Sequence, residues 1–144
     1  MRFLGIDFGT KRIGLALSDE NGTLAFPKEI ITNDGEALAR VMDFVQRENI
    51  GGIVIGESTN FSGRPNKLSS KIKIFTDELS RKIKLPIHRQ KEFLTSVEAR
   101  RSKDGKKDSH ISPSHSRIKK KKSTEVDALA AALILQRYLD QKNR

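Results

Sequence analysis

Two short apolar runs joined by a glycine-rich turn open the chain, and the first run ends on an acid. The stretch is Met1 to Gly14, MRFLGIDFGTKRIG. Phe3, Leu4 and Ile6 have the pattern of a buried strand, and Asp7 follows at once. Gly9, Thr10 and Gly14 allow a tight turn or a close approach to a ligand. Ile13, Leu15 and Leu17 then alternate with smaller or polar residues, the period of a returning strand. Strands this close in sequence pair antiparallel. The hairpin leaves a carboxylate beside its turn, where it either caps the turn or presents charge to a metal or a phosphate.

The remaining elements follow from periodicity and punctuation. Ser18 to Gly22 is a turn cluster, and Thr23 to Ile31 forms a third strand. Pro27 places that strand at an edge or on a bulge. Asn33 to Glu48 is a helix, with Asn33 and Glu36 in capping-box spacing and an apolar stripe at Leu38, Val41, Met42 and Val45. Gly51 and Gly52 end that unit, and Ile53 to Gly56 is a strand covered on both faces. A helix between two strands implies a parallel crossover. Glu57 to Pro65 is a loop beyond that strand, where open α/β sheets tend to bind ligands. A second helix runs from about Asn66 to Lys82, and a fifth strand from Leu85 to Lys91, closed by Glu92. Thr95 and Glu98 mark a further helix start, and a last helix covers Thr124 to about Gln141. The order βββαβαβα, then a basic loop, then α, describes an α/β domain with a mixed sheet and packed helices.

Its 144 residues suit one domain, 1–144. Lys and Arg number 28 against 18 Asp and Glu, a net charge of +10 with a pI near 10.0. That balance calls for a polyanionic partner, nucleic acid first; an inert basic surface, or a ribosome-associated or membrane-surface protein, is the alternative. Between Lys103 and Lys122 eight Lys or Arg face two Asp, so more than half of the excess lies in one Ser-rich stretch. The segment 101–123 is expected to be a mobile loop until a partner holds it. The absence of cysteine excludes disulfides, a thiolate zinc site and a cysteine nucleophile, and suits the cytoplasm. No signal-peptide core precedes Asp7, and no apolar run has the length of a membrane span.

The acids carry the chemistry. In Val126 to Leu135, VDALAAALIL, Asp127 is the only polar residue. Ala130, Ala131 and Ile134 share its side of the helix, so that face lies against the sheet. A lone buried carboxylate costs several kcal/mol unless compensated. Asp127 therefore protonates, caps the helix start, or meets a cation. If the fifth strand lies beside the first, Glu92 and Asp7 share a rim of the sheet, and Asp127 completes a cluster. Three carboxylates so close are held together by a divalent ion, and Mg²⁺ or Mn²⁺ prefers oxygen ligands. Two such ions would activate water for phosphodiester hydrolysis. Glu57 is a spare acid, read as a solvated loop residue. His88, His110 and His115 lack ligand spacing and read as polar surface residues.

At this level the sequence resembles the YqgF-type, Holliday-junction-resolvase-like family, a group also described as pre-16S rRNA nucleases. The resemblance lies in Gly5-Ile6-Asp7-Phe8-Gly9-Thr10-Lys11-Arg12-Ile13-Gly14 and in Ile53-Val54-Ile55-Gly56 with Asn60 and Gly63. It continues in Glu92-Phe93-Leu94-Thr95-Ser96-Val97-Glu98-Ala99-Arg100, and in Val126 to Leu135 with Tyr138. It implies a ribonuclease-H-like fold, a mixed five-stranded sheet with helices on both faces. It also implies a metal-dependent nuclease with Asp7, Glu92 and Asp127 as an acidic triad holding Mg²⁺ or Mn²⁺. The chain departs from the family pattern at Lys91-Glu92-Phe93, where Asp-Glu-Arg is usual, and at Gly56-Glu57-Ser58, where Gly-Leu-Pro is usual. A lysine near the last Asp is replaced by the run Lys119 to Lys122.

The expected activity is endonucleolytic hydrolysis of structured nucleic acid, first the 5′ end of precursor 16S rRNA. The alternatives are resolution of branched DNA, and a non-catalytic RNA- or ribosome-binding protein, to which Lys91 and Phe93 point. Lys11, Arg12, Lys119, Lys120, Lys121 and Lys122 are expected to hold the phosphate backbone. Structured RNA, branched DNA and ribosomal precursor particles are the partners envisaged, with the protein a monomer or homodimer and no membrane involved. A nucleotide-dependent phosphotransferase, suggested by the Asp-x-Gly-Thr turn, would need two such domains.

Overall fold

The computed structural model describes residues 1–57, 67–91 and 116–144, with the backbone alone for 57, 67 and 116–127. Three strands lead, β1 (Arg2–Phe8), β2 (Arg12–Ser18) and β3 (Ala25–Thr32). They are followed by α1 (Ala37–Arg47), β4 (Ile50–Glu57), α2 (Lys67–Lys82), β5 (Ile87–Lys91) and α3 (Ser116–Lys142). The strands form one mixed sheet in the order β3-β2-β1-β4-β5. β2 is antiparallel to β1 and β3, whereas β4 is parallel to β1 and β5 parallel to β4. This is the expected five-stranded sheet, and helices cover both of its faces.

Alternation along the strands builds the two cores. Leu4, Ile6 and Phe8 of β1, with Ile13 and Leu15 of β2, pack against Val41 and Phe44 of α1 and Ile72, Phe75 and Leu79 of α2. Phe3, Ala16 and Val54 point the other way and meet Ala131, Ile134, Leu135 and Leu139 of α3. β3 is an edge strand and also carries a bulge between its pairings Leu15–Glu29 and Ala16–Pro27, so both readings of Pro27 hold.

Four expectations are corrected. β5 is not beside β1, because β2 already fills one edge of β1 and the crossover through α1 sets β4 on the other. Asn33 does not cap α1, which starts at Ala37 after Glu36 without a side-chain cap. Asn49, at φ 54°, closes that helix rather than Gly51 and Gly52, which belong to β4. α3 begins at Ser116, eight residues ahead of Thr124, so Lys119 to Lys122 occupy helical positions rather than a loop. No glycine or proline follows Pro113, and lysine is a good helix former. The helix start expected at Thr95 and the segment 101–115 lie outside the described residues. No helix among the described residues is long and apolar enough to cross a membrane.

Candidate active site

Asp7 is the penultimate residue of β1, on the face of Phe3 and Gly5 that α3 covers. A Cβ on Gly5 would stand 2.7 Å from Leu135 Cβ and 3.0 Å from the Ala131 carbonyl oxygen, so glycine is what lets helix and strand touch. Two residues back, the rings of Phe3 and Tyr138 pack with centroids 5.6 Å apart. Strand and helix therefore run in opposite directions, Phe3 against Tyr138 and Gly5 against Leu135 and Ala131. Two residues on, about 6.7 Å along the strand, comes Asp7. One turn back, four residues and about 6 Å along the helix, comes position 127. The backbone of residue 127 thus reaches the level of Asp7. α3 runs for eleven residues ahead of Asp127, so the capping alternative for that residue falls away.

The neighbours of Asp7 in the sheet have no side chains. Asp7 pairs with Gly14 on β2, and Gly14 with Ile30 on β3. On the other side Ile6 pairs with Ile55, which sets Gly56 level with Asp7, and Gly56 pairs with Gln90. On the α3 face the row is Ile30, Gly14, Asp7, Gly56, Gln90. Asp7 thus stands in a trough across the sheet, with buried Gln90 at one end. The trough lies at the C-terminal rim of parallel strands β1, β4 and β5, the usual ligand side of such sheets. Sequence offered Gly14 as a place of close approach to a ligand, but gave no sign that Gly56 and Gln90 belong to the site. The two glycines sat in short motifs, and only the register aligns them with Asp7.

The turn after Asp7 is tied down from two sides. Gly9 N–H donates to the Arg12 carbonyl at 2.9 Å, closing the turn. Asn33 donates its side-chain amide to the Gly9 carbonyl at 2.7 Å and its backbone N–H to the Lys11 carbonyl at 2.9 Å. Lys11 and Arg12 are thereby held exposed on a fixed turn.

The other expected residues divide. Glu92 lies outside the described residues, immediately after Lys91, the last residue of β5. Lys91 is in register with Glu57, both at the rim. Alternation sets exposed Lys91 on the α1 and α2 side, opposite Asp7. Lys119 to Lys122 precede position 127 by five to eight residues on α3. His88 is not a plain surface residue: half-buried, it stacks on Tyr138 with centroids 4.8 Å apart. Burial raises the pKa of that tyrosine above its ordinary 10.0. His110 and His115 lie outside the described residues. Among the described residues no three His, Asp or Glu side chains form a metal cluster, and Asp7 alone of the three acids has a described side chain.

A family model described as RuvX, Holliday junction resolvase, matches residues 1–141. The chain belongs to this family. Curated relatives agree along the whole length. A protein of Maridesulfovibrio salexigens named "Putative pre-16S rRNA nuclease" is 32% identical over 96% of this chain and 98% of its own. Relatives of the same name from Thermoanaerobacter pseudethanolicus and Oenococcus oeni are 36% and 38% identical, each over 100% of this chain and over 100% and 97% of their own. The resemblance carried by the four motifs is thus borne out, and family membership supports a nuclease. Solved structures share the fold. A fowlpox virus resolvase in complex with Holliday junction DNA superimposes with TM-score 0.60 at 15% identity, covering 100% of both chains. T. thermophilus RuvC in complex with a Holliday junction substrate gives 0.56 at 18%, over 99% of this chain and 96% of that one. The ribonuclease-H-like architecture expected from the motifs is the one observed.

Proposed function

We propose that this protein is an endonuclease dependent on Mg²⁺ or Mn²⁺ that hydrolyses phosphodiesters of structured RNA, namely the 5′ region of precursor 16S rRNA. The observation that carries the reading is the packing of α3 on Gly5, which brings position 127 level with Asp7, whose flanking strand positions are Gly14 and Gly56. Asp7, Asp127 and Glu92 would hold the metal, and carboxylate oxygens are the donors that these ions prefer. The glycines beside Asp7 leave room there for a hydrated ion and a phosphate. A bound divalent ion supplies a water of lowered pKa and charge to stabilise the leaving oxygen. Lys11 and Arg12, held on the turn, and Lys119 to Lys122 on α3 grip the backbone on either side of the cut and orient it.

The names of the curated relatives support the RNA substrate. The family description, and the junction DNA in the complexes of the structural neighbours, support a second reading, resolution of a four-way DNA junction by a homodimer. Parallel cleavage assays separate the two. A labelled precursor 16S 5′-end RNA and a labelled four-way junction are each incubated with Mg²⁺, Mn²⁺ or chelator, with wild type and Asp7→Asn. The expected result is RNA cleavage that chelator abolishes and that Asp7→Asn lowers at least about a hundredfold, the scale on which electrostatic stabilisation of the transition state acts. Junction cleavage with the same dependence would select the second reading. Tight binding without cleavage of either substrate would leave a non-catalytic nucleic-acid-binding protein.

A further inference from the structure

The trough that holds Asp7 does not stop at Gly14. It opens, two strands over, into a cavity of about 600 Å³ between the β3 edge and α3, lined by Arg12, Pro27, Lys28, Ile30, Thr32 and Ala128. Two strand spacings put it about 9.6 Å from β1. Ala128, in its wall, follows Asp127 directly on the helix. Arg12 and Thr32 are cross-strand partners on the α3 face, just past the pair formed by Gly14 and Ile30.

We infer that this cavity receives one unstacked nucleotide of the substrate strand, next to the phosphodiester held at Asp7. The register of that strand rests on the nuclease reading of Asp7. Three features select such an occupant. The strand position between Asp7 and the cavity is Gly14, which has no side chain, so a continuous strand can lie in both. Exposed Arg12 and Lys28 offer cations to its phosphates. Pro27, half-buried Ile30 and buried Ala128 form an apolar wall for a base, and the Thr32 hydroxyl offers a donor and an acceptor for its edge. Glu29 also borders the cavity, but its carboxylate pairs with Arg47 of α1 at 3.7 Å, on the opposite face. Single-stranded nucleic acid is held elsewhere by cations along the backbone and aromatic side chains on which bases stack, and here the aliphatic wall takes the place of the aromatic. A base inside a continuous duplex cannot enter without being flipped. The subsite therefore selects strands that carry an unpaired nucleotide beside the cut.

The absence of cysteine makes the test direct. Thr32→Cys puts one thiol at the exposed cavity wall, and Ala39→Cys puts one on exposed α1, across the sheet. Both are built on Asp7→Asn, so that no strand is cut, and maleimide labelling is timed in Mg²⁺. The probes are a single-stranded oligouridylate of about twelve nucleotides and an abasic chain of equal length and charge, at concentrations that saturate protection. Oligouridylate is expected to slow labelling of Thr32→Cys about fivefold or more, the abasic chain less than about twofold, and neither to affect Ala39→Cys. Equal protection by both probes would reduce the cavity to a phosphate groove and overturn the inference, as would protection by neither. Because labelling needs no cleavage, protection can persist while the nuclease assay fails, and the reverse, so the two readings fall separately.

Discussion

Asn33 fastens the turn that follows Asp7, and it does so by donating from its side-chain nitrogen, where a helix cap would have accepted through the oxygen. Its side chain and its backbone N–H hold the carbonyls of Gly9 and Lys11. Asn33→Ala leaves the half-buried Gly9 carbonyl without that donor, at a cost of about 1 kcal/mol in urea unfolding. It also releases Lys11 and Arg12 from a fixed pose, so nucleic-acid affinity should fall by more than the lost stability explains. An unchanged affinity would limit Asn33 to a structural role. Asp19 sets a second, pH-dependent contact. Its carboxylate accepts from the Thr23 hydroxyl at 2.6 Å and from the Thr23 N–H at 2.7 Å, which holds its pKa below 3.8. A depressed folded pKa stabilises the protein above the unfolded value and ceases to do so as the pH falls through the folded one. Asp19→Asn should therefore lower the urea midpoint at neutral pH, and the difference from wild type should shrink on acidification below 3.8. A difference that grows on acidification would refute the assignment.

At the scale of elements, the site depends on how α3 sits on β1. Gly5→Val drives a branched side chain into Leu135 and the backbone oxygen of Ala131. Overpacking of this kind costs about 1–3 kcal/mol, and here the obstacle includes helix backbone, which cannot rotate away. Because the shift lifts position 127 from Asp7, cleavage should drop far more than the unfolding midpoint. Equal losses would mean that the spacing of helix and strand does not matter to catalysis. How much of this was legible in the sequence depends on range. The strands, their antiparallel start and the edge character of β3 follow from local periodicity and Pro27, and they were read correctly. The choice of Asp7 rested on a strand end, and that of Asp127 on a polar residue in an apolar run, both local features. Strand order was not legible, because β4 beside β1 is a pairing of residues about fifty apart, decided by which sheet edge remained free. The row of Gly14, Asp7, Gly56 and Gln90 exists only in the register. Asn33 misled because a good cap residue also makes a good turn clamp, and tertiary contact chose the clamp.

For the molecule as a whole, exposed cations and the cavity meet on one side of the hairpin, where Arg12 and Lys28 line it. The trough runs across the sheet under the N-terminal half of α3, with Lys11, Arg12 and Lys28 exposed on its hairpin side. The positions of Lys119 to Lys122 come one to two turns before residue 127 on α3, close to the trough along the helix axis. A strand lying in the trough would thus meet cations from the hairpin, and helix positions 119–122 are the further candidates to test. If the four helix lysines each neutralise one phosphate, counterion release sets the size of their effect. Each duplex phosphate contributes about 0.9 to the slope of log affinity against log salt. Replacing Lys119, Lys120, Lys121 and Lys122 together by glutamine should flatten that slope by roughly 3–4 on duplex DNA. Arg12→Gln should flatten it by only about 1. The comparison is made by fluorescence anisotropy across a salt series, and the helical signal of the quadruple variant is checked by circular dichroism. An unchanged slope with α3 intact would remove these lysines from the substrate path and leave the hairpin as the grip. A slope flattened by the full amount would mean that the start of α3 lies along the backbone of the bound strand.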